Sequence, residues 1–160
     1  MDQIAEARRQ WEAHGWADAA PGMAAVTSVM RAQQIFQARV DEVLRPFDLT
    51  FSRYELLMLL HFSREGSLPV KKASVRLQVH PTSVTNAVDR LEAAELVERR
   101  PHPTDGRGTL VSITEEGRRT ALKATEVLNA EVFVRPGLPA RRVTTLVSVL
   151  EELRRGAGDL

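Results

Sequence analysis

Short polar side chains, spaced as on a helix and placed just after a proline, are the first feature of this 160-residue chain that could do chemistry. Thr82, Ser83, Thr85, Asn86 and Arg90 follow Pro81, while Val84, Ala87, Val88 and Leu91 fall at i, i+3, i+4 and i+7. The apolar set forms one buried stripe and leaves the polar set on the opposite face. Hydroxyls and an amide so placed can approach base edges in a DNA major groove, and asparagine can pair bidentately with adenine. His80 begins this helix and Pro81 suits its first position. An ordinary amphipathic surface helix would carry the same pattern, so this face alone leaves both readings open.

A second candidate lies in the run His102-Pro-Thr-Asp-Gly-Arg-Gly108. It sets Arg107 between two glycines, on a loop where little else could use an arginine. Guanidinium groups on such protrusions enter the minor groove, where narrow A·T-rich stretches concentrate negative potential. Asp105 is placed to orient that arginine with a charge-assisted bond. A solvated turn with a chance Asp–Arg pair is the alternative.

Both features need elements to hold them. Residues 2–14 read as a short amphipathic helix with Ile4, Arg8 and Trp11 near one face, broken by the run from Ala17 to Gly22. Residues 23–47 read as a long helix: Val26, Val29, Met30, Phe36, Val40, Val43, Leu44 and Phe47 keep helical spacing, and Pro46 closes it. Ser52 and Glu55 suggest a capping box opening a buried helix that carries Tyr54, Leu56, Leu57, Leu59, Leu60 and Phe62. Residues 64–69 read as a loop and 70–77 as a short helix. The tight link Gln78-Val79-His80 leads into the polar-faced helix. Gln78 stands where many such turns use glycine in a left-handed conformation, at a cost of about 1 kcal/mol. Residues 96–100 and 109–113 read as a hairpin around the Arg107 loop. Thr114 caps a helix running to about residue 134. After the break at 136–139, a last helix carries Val143, Leu146, Val147, Leu150 and Leu153 on one side and ends in a frayed tail at Gly156 and Gly158. The fold class is mainly α with a small β-hairpin wing. Helix, helix, tight turn, helix and hairpin over residues 52–114 make a winged helix-turn-helix, whose second helix can lie in a major groove while the first braces it.

Composition narrows the classes. The chain is long enough to bury about 70% of its unfolded surface, so it needs no disulfide or metal to fold. Having no cysteine removes thiolate zinc sites and thiol-based sensing. No stretch reaches the ~20 apolar residues of a membrane span, and residues 1–16 mix both charges without an apolar core, unlike a secretory signal. A cytoplasmic protein with no membrane partner is expected. The net charge of +1, from 22 basic and 21 acidic residues, gives little electrostatic support to nucleic-acid binding. Placement is kinder. Between residues 71 and 107 seven bases (Lys71, Lys72, Arg76, Arg90, Arg99, Arg100, Arg107) meet five acids (Asp89, Glu92, Glu95, Glu98, Asp105). That small excess makes affinity depend on dimeric binding.

The run SVTNAVDRLEAAELVERRPHPTDGRGTLVSIT resembles the recognition helix and wing of MarR-type (multiple antibiotic resistance) regulators. In that family the wing reads D-x-R followed by V-x-[LI]-T, matched here by Asp105, Arg107, Val111, Ile113 and Thr114. The resemblance covers residues 23–155 in element order and is specific over 82–114. It implies one MarR-type domain over 1–160: an extra N-terminal helix at 1–16, dimerisation helices at 23–47 and 115–155, and a DNA-reading lobe at 52–114. It further implies a homodimer on a palindromic double-stranded operator. Thr82, Ser83, Thr85 and Asn86 would face bases or phosphates, Arg90 would hold the backbone, and Arg107 would enter the minor groove.

Members of the family commonly release DNA when a small anionic or aromatic effector binds between the dimer helices and the reading lobes. The extra helix with Trp11 is similar to a branch responding to urate or related metabolites, where the tryptophan accompanies an acid early in the first helix-turn-helix helix and an arginine in the recognition helix. Glu55 matches the acid, but Ala87 stands at the arginine's place, which leaves another small carboxylate or phenolic ligand. Trp11, Arg31, Arg39, Glu55 and His61 are the pocket candidates. Packing of the extra helix, surface solvation and dimer salt bridges are the plainer uses of Trp11 and the two arginines. His14, His61, His80 and His102 have no i, i+3 or i+4 partner, so no metal or other cofactor is expected.

Nothing points to catalysis. There is no Gly-rich phosphate loop, G-x-S-x-G elbow or H-E-x-x-H, and the carboxylates sit mostly beside Lys or Arg on helical surfaces. Two readings are left: a ligand-responsive repressor, or a winged-helix module that binds protein partners without specific DNA affinity.

Overall fold

The computed structural model describes residues 1–160 and divides them into two compact units, 1–42 and 43–160.

In the first unit, helix α1 (Gln3–Ala13) starts where Asp2 Oδ1 accepts the backbone N–H groups of Ile4 and Ala5 at 2.9 and 3.3 Å, satisfying two donors the helix cannot. It ends at His14 and Gly15, the glycine taking a left-handed φ of 84°. Trp11 then packs edge-on against Trp16, with ring centroids 5.4 Å apart. Helix α2 (Ala20–Leu44) begins earlier than expected, because Pro21 and Gly22 fall inside its first turn. A proline there loses no hydrogen bond, since the first N–H groups have no partner. Val26, Val29, Met30 and Ile35 on this helix are exposed.

The second unit takes in the end of α2, where Val43 and Leu44 are buried, and a 3₁₀ turn at Arg45–Phe47. Helix α3 (Phe51–Phe62) is capped by Thr50, whose hydroxyl accepts the Arg53 N–H at 3.3 Å. The expected Ser52–Glu55 box is therefore not the cap; the helix starts two residues sooner. Leu56, Leu57 and Leu60 are fully buried and, with Leu91 and Leu128, anchor the core. A buried leucine contributes about 1.5–3 kcal/mol. Phe62, expected on the buried surface, is 75% exposed.

Residues 67–69, read as loop, form a short strand β1 (Ser67–Pro69). With β2 (Val97–Pro101) and β3 (Thr109–Ile113) it makes an antiparallel sheet in the order β1-β3-β2, Leu68 opposite Val111 and Arg99 opposite the same residue from the other side. The wing is thus three-stranded. Between β1 and β2 run α4 (Val70–Leu77) and α5 (Pro81–Ala93).

Helix α6 (Glu115–Leu128) opens on Thr114, whose hydroxyl accepts the Gly117 N–H at 2.9 Å and donates to the Glu95 carbonyl at 2.8 Å. The Thr114 N–H meets the Leu96 carbonyl at 3.1 Å. One residue thereby ties the start of α6 to the start of the wing. The helix runs on through a π turn at Asn129–Phe133, where the Val134 N–H reaches back to Asn129. Helix α7 (Ala140–Gly156) has no buried residue, and its expected apolar stripe leaves Val147 58% and Leu153 62% exposed. No helix is long and apolar enough to cross a membrane.

Candidate nucleic-acid interface

The polar-faced helix is built as its periodicity requires. Val84, Val88 and Leu91 of α5 are buried, while Thr82, Ser83, Thr85, Asn86 and Arg90 are exposed. Pro81 occupies the first turn, and His80 caps the helix through Nδ1, which accepts the Thr82 N–H at 3.2 Å. The Thr85 hydroxyl donates to the Pro81 carbonyl at 3.1 Å, so its remaining capacity toward a ligand is as an acceptor.

Orientation of α5 depends on the turn before it. Gln78 is left-handed at φ 54° and ψ 41°, as its place in the turn implied. Buried Ser74 holds the turn by donating to the Val79 carbonyl at 2.7 Å, and the Val79 N–H returns to the Ser74 carbonyl at 3.2 Å. The Gln78 amide donates to the Asp159 carbonyl at 3.0 Å, while Arg154 pairs with the Asp159 carboxylate. These bonds offset the steric cost of a non-glycine residue there.

The wing loop differs from expectation in one respect. Asp105 does not hold the Arg107 guanidinium; its Oδ1 accepts the Arg107 backbone N–H at 3.1 Å. This is a turn that aspartate makes with its own backbone two residues on, so the carboxylate shapes the loop and leaves the guanidinium exposed without an ion pair. His102, which sequence reasoning passed over, is the second organiser: its Nδ1 accepts the N–H groups of Thr104 and Asp105 at 3.3 and 3.2 Å. A histidine followed by Pro-Thr-Asp was the available signal. A Cβ on Gly108 would lie 3.1 Å from His102 Cβ and 3.2 Å from Asp105 Oδ2, so that glycine lets the loop close.

Arg99 on β2 bridges to Asp89 and Glu92 on α5, and its backbone N–H donates to Glu92 at 3.1 Å. The hydrogen bond with Asp89, then those with Glu92, raise its guanidinium above even the usual arginine range. Arg100 pairs with Glu98. Arg99 and Arg100 thereby engage three of the five acids in this region, while Lys71, Lys72, Arg76, Arg90 and Arg107 make no salt bridge. The region's excess of positive charge, seven bases against five acids, is therefore carried by these unpaired side chains. Lys71, Thr85, Arg99, His102 and Arg107 line one groove of about 500 Å³ between α4, α5 and the wing.

The pocket candidates are distributed differently. In the first unit Trp11 packs on Trp16, Arg31 donates to Gln34 at 3.0 Å, and Arg39 is not free. In the second, Glu55 borders a small hollow with Leu77, Val79 and Ala87, and partial desolvation lifts its carboxyl above the usual range. His61 lies six residues on, on another face of α3, where Arg118 donates to its Nδ1.

A helix-turn-helix with an exposed polar reading face, continued by a three-stranded wing with a free arginine at its tip, defines a winged helix-turn-helix domain. Residues 47–108 match the family model described as MarR family. The chain is similar to Sco5413, a MarR family transcriptional regulator from Streptomyces coelicolor, at 49% identity and a TM-score of 0.79 over 88% of this chain and 97% of that one. It is also similar to Sco3205 of the same organism, solved in complex with DNA, at 25% identity and a TM-score of 0.71 over 82% and 84% of the two chains. A third structure, CouR from Rhodococcus jostii RHA1 bound to p-coumaroyl-CoA, aligns at 26% identity with a TM-score of 0.66 over 78% and 87%. A Bacillus subtilis relative described as an uncharacterized HTH-type transcriptional regulator, YhbI, is 39% identical over 53% of this chain, and the match spans about half (54%) of that relative's length. This chain belongs to the MarR family of transcriptional regulators.

Proposed function

We propose that the protein is a sequence-specific DNA-binding regulator, a cytoplasmic repressor without enzymatic activity that acts as a homodimer on a palindromic operator. The observation that carries this reading is the shared groove: Thr85 of α5 and the unpaired Arg107 of the wing border the same concavity, with Lys71 beside them. Thr82, Ser83 and Asn86 read base edges, His80 and Pro81 set the start of the helix against the duplex, Arg90 holds a phosphate, and Arg107 enters the minor groove, shaped by Asp105. Residues 23–47 and 115–155 pair across a two-fold axis and set the recognition helices about 34 Å apart, one turn of duplex. The Sco3205–DNA complex supports the DNA partner. The CouR complex supports release by a small anionic or aromatic effector, for which Trp11, Arg31, Arg39, Glu55 and His61 are the residues to test.

Titration against genomic fragments, including the region upstream of the gene itself, across a salt series tests this. Nanomolar binding with a steep negative log–log slope is expected; flat, micromolar binding would instead favour a winged-helix module that contacts protein partners. Arg107→Ala weakens binding most at A·T-rich flanks and reduces the salt slope by about one phosphate contact. Unaltered affinity at both ends of the salt series would remove the wing from the interface. Asn86→Ala relaxes preference at one position per half-site by about 1–3 kcal/mol, read from competition between operator variants. An equal loss on every sequence would make Asn86 a phosphate contact only.

A further inference from the structure

A second groove lies on the reading lobe, at the junction of α3, β1 and α4. Phe62, Arg64, Glu65, Leu68, Lys72 and Arg76 line it, around about 310 Å³. It shares no lining residue with the groove between α5 and the wing. Phe62, the last residue of α3, is 75% exposed although the rest of that helix supplies the core. Its ring is not loose: it rests against His61, centroids 5.4 Å apart, and His61 is held by Arg118. Such a braced, exposed aromatic has little ordering entropy left to lose when covered, which is what makes an aromatic an effective anchor.

The charges around it are one-sided. Arg64, Lys72 and Arg76 make no salt bridge, and Glu65 is the one acid on the rim. Lys72 and Arg76 stand at i and i+4 on α4, about 6 Å apart on one face. We infer that this groove docks an acidic segment of a partner protein, with an apolar side chain over Phe62 and carboxylates over Lys72 and Arg76. Duplex DNA fits less well, because a phosphate backbone has no use for the exposed phenyl ring. This surface goes beyond DNA reading and does not depend on it.

The test selects short random peptides, displayed on phage, on the full chain at about 0.15 M salt, then compares the selected peptides on Phe62→Ser and on the double variant Lys72→Glu/Arg76→Glu. Enrichment of acidic peptides carrying an aromatic or aliphatic residue is expected. Phe62→Ser should lower their affinity at least about tenfold, and the charge reversal should abolish binding. Melting temperature and oligomeric mass should stay as in the parent chain for both variants, and DNA affinity should stay so for Phe62→Ser. Three results overturn the proposal: no acidic enrichment, selected peptides that bind both variants as well as the parent, or a change of oligomeric mass in Phe62→Ser, which would make the groove a self-interface. A drop in DNA affinity on charge reversal, with no acidic peptides recovered, would assign it to flanking phosphates instead.

Discussion

Gly117→Ala lowers the melting temperature of the protein by roughly 10 °C or more, the largest stability effect expected from a single methyl group in this chain. A Cβ at that position would sit 2.0 Å from the Leu96 carbonyl oxygen, 2.9 Å from its carbon and 3.0 Å from Ile113 Cγ1. Ordinary overpacking costs about 1–3 kcal/mol because side chains can move aside. Here the obstacle is backbone, and it is the carbonyl that accepts the Thr114 N–H at 3.1 Å. Relief requires α6 to back away from β2, which breaks that bond and strains the Thr114 hydroxyl's links to Gly117 and Glu95. About 3 kcal/mol is the least such a shift should cost. Thermal unfolding followed by far-UV circular dichroism reads it directly. Melting at the parent temperature would mean that the junction between wing and α6 is pliable, and the picture of a wing held rigidly at its base would fail.

The second large effect is on assembly. If the chain pairs as proposed, Val147→Asp with Leu153→Asp converts the dimer into a folded monomer and weakens operator binding roughly a hundredfold or more. Helix α7 buries none of its side chains within the chain, so two aspartates on its apolar stripe cost the isolated fold little. Across a subunit interface they would place charges in apolar surroundings, where an unpaired carboxylate is expensive. Once the subunits part, each lobe binds its half-site alone and forfeits the gain from linked sites, typically 10²–10⁴-fold. Light scattering gives the mass and a gel-shift titration gives the affinity. A dimeric mass after both substitutions would show that α7 is not the seam. A monomer that still binds DNA at the parent affinity would show that one lobe suffices.

How legible these features were in the sequence varied with the range of the forces behind them. The reading helix was legible residue by residue, because Val84, Val88 and Leu91 repeat at helical spacing and Pro81 marks the start. The left-handed Gln78 followed from its place in the turn. Strand β1 was not legible: Ser67-Leu68-Pro69 has the composition of a turn, and only pairing with β3, 45 residues further along at Ser67–Ser112, makes it a strand. The start of α2 was misjudged because Pro21-Gly22 breaks a helix in its middle but is tolerated in its first turn. Thr50 displaced Ser52 as the cap of α3 by a backbone geometry that both residue types could satisfy. Phe62 looked like core because it continues an apolar run, yet it falls past the last turn that the neighbouring elements cover. At the wing, the composition of the Asp-Gly-Arg-Gly run was informative and the direction of its hydrogen bond was not. An aspartate two residues before an arginine reaches the backbone N–H more easily than the far end of a long side chain.

That choice of partner by Asp105 has a mechanical result. The loop is shaped from within, so its curvature does not depend on what the arginine is doing, and Arg107 ends the wing as a free rotor on a fixed mount. Such a rotor can find electronegative pockets over a range of positions, at a cost of up to about 2 kcal/mol for stilling the side chain when it lands. An operator recognised this way should be strict where Asn86 and its neighbours sit and forgiving in the exact spacing of its outer A·T steps.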